Sequence, residues 1–397
     1  MALAACAAGG SGAGTVSASS AHPLLLVSLD GFRADYLARP SAARLQRLAA
    51  SGVRAERLVP VFPTKTYPTH YTIITGLWPE HHGIVANTMY DPRLDRWFRI
   101  TDTLAVRDGR WWGGEPLWVA VIRRGRRAHT MYWPGSEAPI HGVRPTEWRA
   151  LFAALPNDTR VDEVLRWLGL PADRAPALVT LYLGDVDVAG HRFGPSGIEV
   201  DSAIAIVDRA IGRLLDGLEA RGLAGRVNLI VVADHGMATI APERVIFLDD
   251  YIDSSLAVIV DLNPVAALRP KPGQDSLVHA RLARAHPNLT VYRKAEVPPR
   301  YHYRDHPRIA PIIAVADEGW TISTRGAGPP TDRGNHGFEP ELVSMGGVFI
   351  TAGPDFPRGK LVGPIHSVHL YALMTHLLGL EPAPNDGSLD SVRVLLR

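Results

Sequence analysis

The chain holds one cysteine, Cys6, in 397 residues. That excludes an internal disulfide framework and any zinc site built on thiolates. Lysine is almost as scarce: Lys65, Lys271, Lys294 and Lys360 are the only four among 42 basic residues. We read the arginine excess as base composition. With 40 acidic residues the net charge is only +2, and no dense basic run carries interleaved aromatics. No sequence-specific nucleic-acid partner is therefore expected. No stretch is long and apolar enough to span a membrane, and no internal repeat or low-complexity segment follows residue 20. Apolar residues make up 46% of the chain and charged residues 21%, which is ordinary for a globular protein. The length suffices for one large α/β domain or two smaller ones.

Cys6 lies in Leu3-Ala4-Ala5-Cys6, a sequence like the lipobox at a bacterial lipoprotein cleavage site. Residues 1–20 are expected to be a lipoprotein signal remnant and a flexible Gly/Ala/Ser-rich tether. The expected location is periplasmic or membrane-anchored, with the membrane reached only through that anchor.

From residue 21 onward apolar runs alternate with helical periodicity. Continuous apolar runs at 23–29, 177–183 and 226–233 predict strands buried on both faces of a parallel sheet. Helices are predicted at 41–50, 116–124, 160–168, 200–218 and 368–378, and short strands at 53–61, 127–132 and 347–350. A further helix begins in the loop Phe62-Pro63-Thr64-Lys65-Thr66-Tyr67-Pro68, with Pro68 expected at its first position and Gly76 as a left-handed cap. Thr66 then sits beside a helix N-terminus, a place suited to an anion, though an N-cap is the ordinary reading. Residues 93–114 give no clear element. At about 241–322 shorter runs and proline clusters predict an inserted subdomain. Strands alternating with helices imply a mainly parallel sheet covered on both sides.

All three buried-type strands end in metal-ligand residues: Asp30 after the first, Asp187 and His191 after the second, Asp234 and His235 after the third. In an open α/β sheet ligands bind beyond the strands' carboxyl ends, so these groups should converge. His336, in a glycine-flanked loop, could reach the same edge. Each has a plain alternative: Asp30 as a turn cap, Asp187 and His191 as a solvated pair, His336 as a surface histidine. Together they form a mixed oxygen and nitrogen set that suits zinc and is large enough for two ions.

With these residues in view the sequence resembles the nucleotide pyrophosphatase/phosphodiesterase family of the alkaline phosphatase superfamily, in its bacterial single-domain form. The similarity runs over about 24–389. It is carried by Leu29-Asp30-Gly31-Phe32-Arg33, the loop through Thr66, Thr75-Gly76-Leu77-Trp78-Pro79, His82-Gly83-Ile84 and Asn87-Thr88-Met89-Tyr90-Asp91-Pro92. It continues in Trp133-Pro134-Gly135-Ser136, the segment from Asp187 to His191, Asp234-His235-Gly236-Met237, Asn335-His336-Gly337 and Pro382-Ala383-Pro384-Asn385-Asp386-Gly387. The resemblance implies a three-layer α/β/α sandwich with a small inserted α+β subdomain. It also implies two zinc sites, one formed by Asp30, Asp234, His235 and Thr66, the other by Asp187, His191 and His336. The chain departs from the family at Thr69 and Asn335, often Asn and Asp there, and is less acidic just before Asp187; none of these is an implied ligand.

The implied chemistry is phosphoryl transfer by a metal-activated threonine. Thr66 attacks, a phosphothreonine forms, and water hydrolyses it. Asn87 and the Tyr67 N–H would bind a non-bridging phosphate oxygen, and Tyr67 and Tyr182 would hold a nucleobase between them. The expected reaction is hydrolysis of nucleotide phosphodiesters and pyrophosphates to nucleoside 5′-monophosphates. Within the family a choline- or lysophospholipid-type phosphodiesterase is the alternative, followed by a phosphomonoesterase. A sulfatase is disfavoured because Thr66 stands where that relative needs a modified Cys or Ser. The rival from another class is a non-catalytic, metal-binding surface lipoprotein.

Overall fold

Leu24–Leu29 is buried at all six positions. Its alternate side chains enter two different apolar clusters, Leu24 and Leu26 on one face and Leu25, Val27 and Leu29 on the other. A strand covered on both sides needs an apolar residue at every position, which is why the run is continuous. It pairs in parallel with Leu178–Leu183 and Asn228–Val232. These are the centre of an eight-stranded sheet in the spatial order 360–362, 53–55, 349–352, 228–232, 24–29, 178–183, 128–131, 147–149. Phe349–Ala352 runs antiparallel to both neighbours, and the other ladders are parallel. Helices Thr66–Thr75, Leu117–Arg123 and Leu370–Leu377 pack on one face; Ala43–Ser51, Asn157–Leu168 and Ile198–Ala220 pack on the other. The result is a three-layer α/β/α sandwich. This computed structural model describes residues 22–151, 154–328 and 330–397; the Cys6 box and its tether lie outside them.

Local readings differ from the sequence in several places, among them helix Asp185–Phe193 and strand Glu147–Arg149, which the sequence did not predict. The helix expected to open at Pro68 begins at Thr66, with Lys65 as N-cap. Pro68 fits at the third helical position because first-turn N–H groups have no acceptor within the helix. The stretch 53–61 forms two strands, Val53–Ala55 and Leu58–Val59. The segment that gave no clear element holds one arm of a hairpin, Thr88–Asp91 with Arg96–Arg99, and a short helix at Thr103–Val106. Elements of four residues are too brief to show a period.

Between 241 and 322 a separate antiparallel sheet has the order 257–261, 265–270, 312–316, 289–293. Ala266 and Leu268 face its own core, which includes helix Asp275–Leu282, whereas Val265, Ile313 and Val315 face the main body. Arg308 pins this region down. Its buried guanidinium donates to Asp91 Oδ2 (2.7 Å) and to the carbonyls of Gly83 (2.8 Å) and Trp111 (2.6 Å). Burial raises the Asp91 carboxyl, but Arg308 and the Leu94 and Arg93 N–H groups outweigh it and hold it below its ordinary value. Asp91→Ala leaves a buried cation unpaired and is expected to lower stability by about 3–5 kcal/mol, read from urea unfolding. The depressed carboxyl adds stability that is present above its unfolded value, roughly 4, and is lost as pH falls through the folded one. That acid limb should be missing in the variant.

Candidate active site at the carboxyl end of the sheet

Asp30 directly follows its strand, and its N–H still donates to Leu183 O at 2.9 Å. Asp234 and His235 follow Val232 on one side. On the other, the chain turns from Leu183 into helix Asp185–Phe193, which carries Asp187 and His191 four residues apart on one face. Gly31 lets that helix close in. Its φ is +67°, and a β-carbon there would lie 2.8 Å from Asp187 Cα. The His336 loop is stitched to the Asp234 loop by an antiparallel pair, Ala238 with Asn335.

All three histidines are oriented in the same way. Their Nδ1 atoms lie against backbone carbonyls: His191 on Gly334 (3.1 Å), His235 on Gly236 (2.9 Å) and His336 on Thr64 (2.8 Å). A carbonyl only accepts, so Nδ1 carries a proton in each ring, and Nε2 is the atom turned toward the cluster. Those Nε2 atoms face carboxylates. His235 is 3.0 Å from Asp234 Oδ2 and 3.4 Å from Asp30 Oδ1; His191 and His336 are 3.5 and 3.7 Å from Asp187 Oδ1. Asp30, Asp234 and His235 can bring ligand atoms within 4.8 Å of one another, as can Asp187, His235 and His336. His235, stacked at 3.5 Å on His336, thus links the two groups, a proximity the residue spacing does not reveal.

The electrostatics favour a cation here. Asp30 Oδ1, Asp187 Oδ1 and Asp234 Oδ2 are buried and accept no hydrogen bond, an arrangement that is costly unless cations serve as partners. Burial, then the Asp234 and Asp187 charges, push the Asp30 carboxyl well above its ordinary value, and burial also raises Asp187. Burial acts to raise Asp234 too, but the His235 and His70 rings hold it well below. Burial pulls His235 down, yet the surrounding carboxylates prevail and lift it to about 10. His336 is driven well below its usual value by burial and then by the His235 and His191 charges. The donor set fits hard or borderline divalent ions with mixed nitrogen and oxygen ligands.

Thr66 stands at the first position of its helix with Oγ1 3.3 Å from His235 Nε2. The Tyr67 N–H, expected to be free for phosphate, donates to Asn87 Oδ1 at 3.1 Å. This bond turns the Asn87 amide so that its Nδ2 hydrogens are the available donors. The Tyr182 hydroxyl donates to Asp30 Oδ2 at 2.5 Å, leaving Oδ1 for the cluster. Tyr67 and Tyr182 line one cleft of about 960 Å³ with Asp30, Thr66 and Asp187. Sequence reasoning missed His70, buried beneath Thr66, and the Lys65–Asp261 ion pair at 2.5 Å, which ties the Thr66 loop to strand Ala257–Asp261. The one available signal for His70 was its place four residues after Thr66.

Residues 24–339 match the family model described as type I phosphodiesterase/nucleotide pyrophosphatase. The chain belongs to this family. Ectonucleotide pyrophosphatase/phosphodiesterase family member 5 of Homo sapiens is 38% identical over 375 residues, covering 94% of this chain and 78% of that protein. The bis(5′-adenosyl)-triphosphatase enpp4 of Mus musculus is 39% identical over 386 residues, 96% of this chain and 83% of its own length. Among solved structures, an inactive threonine-to-alanine variant of the murine family member 5, in complex with AMP, superposes with a TM-score of 0.91 at 38% identity, covering 95% of this chain and all of the other. This type I phosphodiesterase/nucleotide pyrophosphatase is therefore a hydrolase with an alkaline phosphatase-like fold, and it carries clustered residues of metal-ligand type at the sheet edge.

Proposed function

We propose that the chain cleaves nucleotide phosphodiester and pyrophosphate bonds, releasing nucleoside 5′-monophosphates, with Thr66 as nucleophile and two zinc ions as cofactors. One observation carries this reading: three imidazoles with Nε2 directed at three carboxylates, two of whose unpartnered oxygens lie around His235 beside the Thr66 hydroxyl. Asp30, Thr66, Asp234 and His235 would hold one ion and Asp187, His191 and His336 the other. When bound, the ions supply Lewis acidity that eases deprotonation of Thr66 and stabilises charge on the phosphoryl and leaving-group oxygens.

The chain's own groups do the rest. Thr66 Oγ1 forms the bond to phosphorus as the leaving-group oxygen departs, and water then hydrolyses the threonine ester. The Asn87 Nδ2 hydrogens donate to a non-bridging oxygen, and the positive end of the helix dipole favours the anion. Tyr67 is steadied by Phe98 and Trp112, each with its ring centroid 6.0 Å away. With Tyr182 across the cleft it would flank the nucleobase. AMP in the murine relative supports a nucleotide here.

The test compares a p-nitrophenyl nucleotide diester, p-nitrophenyl phosphate and a phosphocholine diester on one zinc-loaded preparation. The nucleotide diester should lead in kcat/KM by at least ~30-fold, the equivalent of ~2 kcal/mol of base stacking. A preference for the monoester sinks the reading, and one for the phosphocholine diester moves the chain to the choline branch.

We also propose export with acylation at Cys6, supported by the Leu3–Cys6 box. Among the described residues no helix is long and apolar enough to cross a membrane. Membrane-fraction protein should incorporate labelled palmitate, and Cys6→Ser should abolish the label; label retained in the variant rules the site out.

A further inference from the structure

His70 lies one helical turn after Thr66, on the same face. Its ring is fully buried. Nδ1 is 2.8 Å from the Thr66 carbonyl oxygen and 3.2 Å from Asp234 Oδ2, and Nε2 is 2.7 Å from Ser28 Oγ. Because the carbonyl can only accept, the proton is on Nδ1, and Nε2 takes the Ser28 hydroxyl hydrogen. The ring cannot turn freely: Trp133 packs edge-on against it at 5.1 Å, and the Trp133 indole N–H donates to the His70 carbonyl at 3.3 Å.

One imidazole thus joins three parts of the site: the peptide of Thr66, the Asp234 carboxylate, and the strand that delivers Asp30 two residues after Ser28. A regular helix already supplies the Thr66 carbonyl with a backbone N–H from residue 70. The imidazole is a second donor that secondary structure does not require.

We propose that His70, braced by Ser28, is a positioning residue for phosphoryl transfer. It fixes the peptide of Thr66 relative to Asp234, so that Oγ1 is presented to His235 and to the unpartnered carboxylate oxygens. It touches no substrate. The inference rests on Thr66 being the nucleophile.

The test uses His70→Leu, His70→Asn and Ser28→Ala in the full, zinc-loaded protein, with kcat, KM, AMP affinity, bound zinc and Tm measured for each. Misplacing a reacting group by about 1 Å costs on the order of 10²-fold. His70→Leu should therefore lose about that much kcat, while KM, AMP affinity and zinc content stay at wild-type values. His70→Asn, whose amide can replace the Nδ1 donor, should recover most of the loss, and Ser28→Ala should fall between. Wild-type kcat in His70→Leu overturns the proposal, as does a loss that merely follows missing zinc. Should His70→Leu not fold, Ser28→Ala and His70→Asn decide it: unchanged kcat in the first, or no activity in a folded, zinc-replete second, overturns it. A wild-type protein that turns over no nucleotide diester instead defeats the proposed function, so the two failures are distinct.

Discussion

Thr66→Ala should reduce turnover of a nucleotide diester by 10³-fold or more, the order of magnitude for deleting a nucleophile that acts as a unit with its activators. The loss belongs in kcat. Thr66 is half-buried and lines the cleft with Tyr67 and Tyr182, which its removal leaves in place. AMP affinity, measured by isothermal titration, should therefore fall little. Thr66→Ser is the informative companion, since it keeps the hydroxyl and should restore a measurable rate. If the alanine variant retains full turnover, another group is the nucleophile. If neither variant nor wild type turns over while zinc still binds, the chain is a metal-binding protein on an enzyme scaffold.

Chelation should be as severe. Stripping the ions is expected to remove activity to background, with recovery on adding zinc. It should also lower Tm, because a ligand present at ~100 times its dissociation constant adds about 2.7 kcal/mol. For a chain of this size that is roughly 3 °C for each ion. The proton balance gives the sign of the pH effect. In the ion-free site His235 is lifted to about 10 and holds a proton at neutral pH. An ion taking Nε2 must displace it, so binding releases a proton and the affinity rises with pH up to that value. Titrations in two buffers of different ionisation enthalpy count the released protons. Proton uptake on binding would contradict the arrangement.

Features confined to one strand or one helix face are legible in the sequence itself. The runs around Leu24–Leu29, Leu178–Leu183 and Asn228–Val232 announce buried strands, and their ends carry Asp30, Asp187 and Asp234 because that edge is where the chain turns. Contacts made between distant segments are not legible in this way. Ser28 resembles any strand serine until His70 is found above it. Tyr182 is an aromatic on a strand until its hydroxyl meets Asp30, and Arg308 is one of many arginines until Asp91 and the carbonyls of Gly83 and Trp111 close round it. Pro68 misled because a first turn admits proline at more than one position. The four-residue arms of the 88–99 hairpin carry too little pattern to declare themselves.

The close approach at Gly31 also has a metrical consequence. Asp30 and Asp187 head the two carboxylate groups, and the backbone of one rests where the side chain of residue 31 would otherwise stand. The separation of their main chains is thus a ruler cut in the backbone, and rotation of the two side chains cannot change its length. Substitutions around the cleft can alter which substrates enter and how strongly charge is felt. The spacing of the Asp30 and Asp187 backbones is set by an atom that the polypeptide does not have.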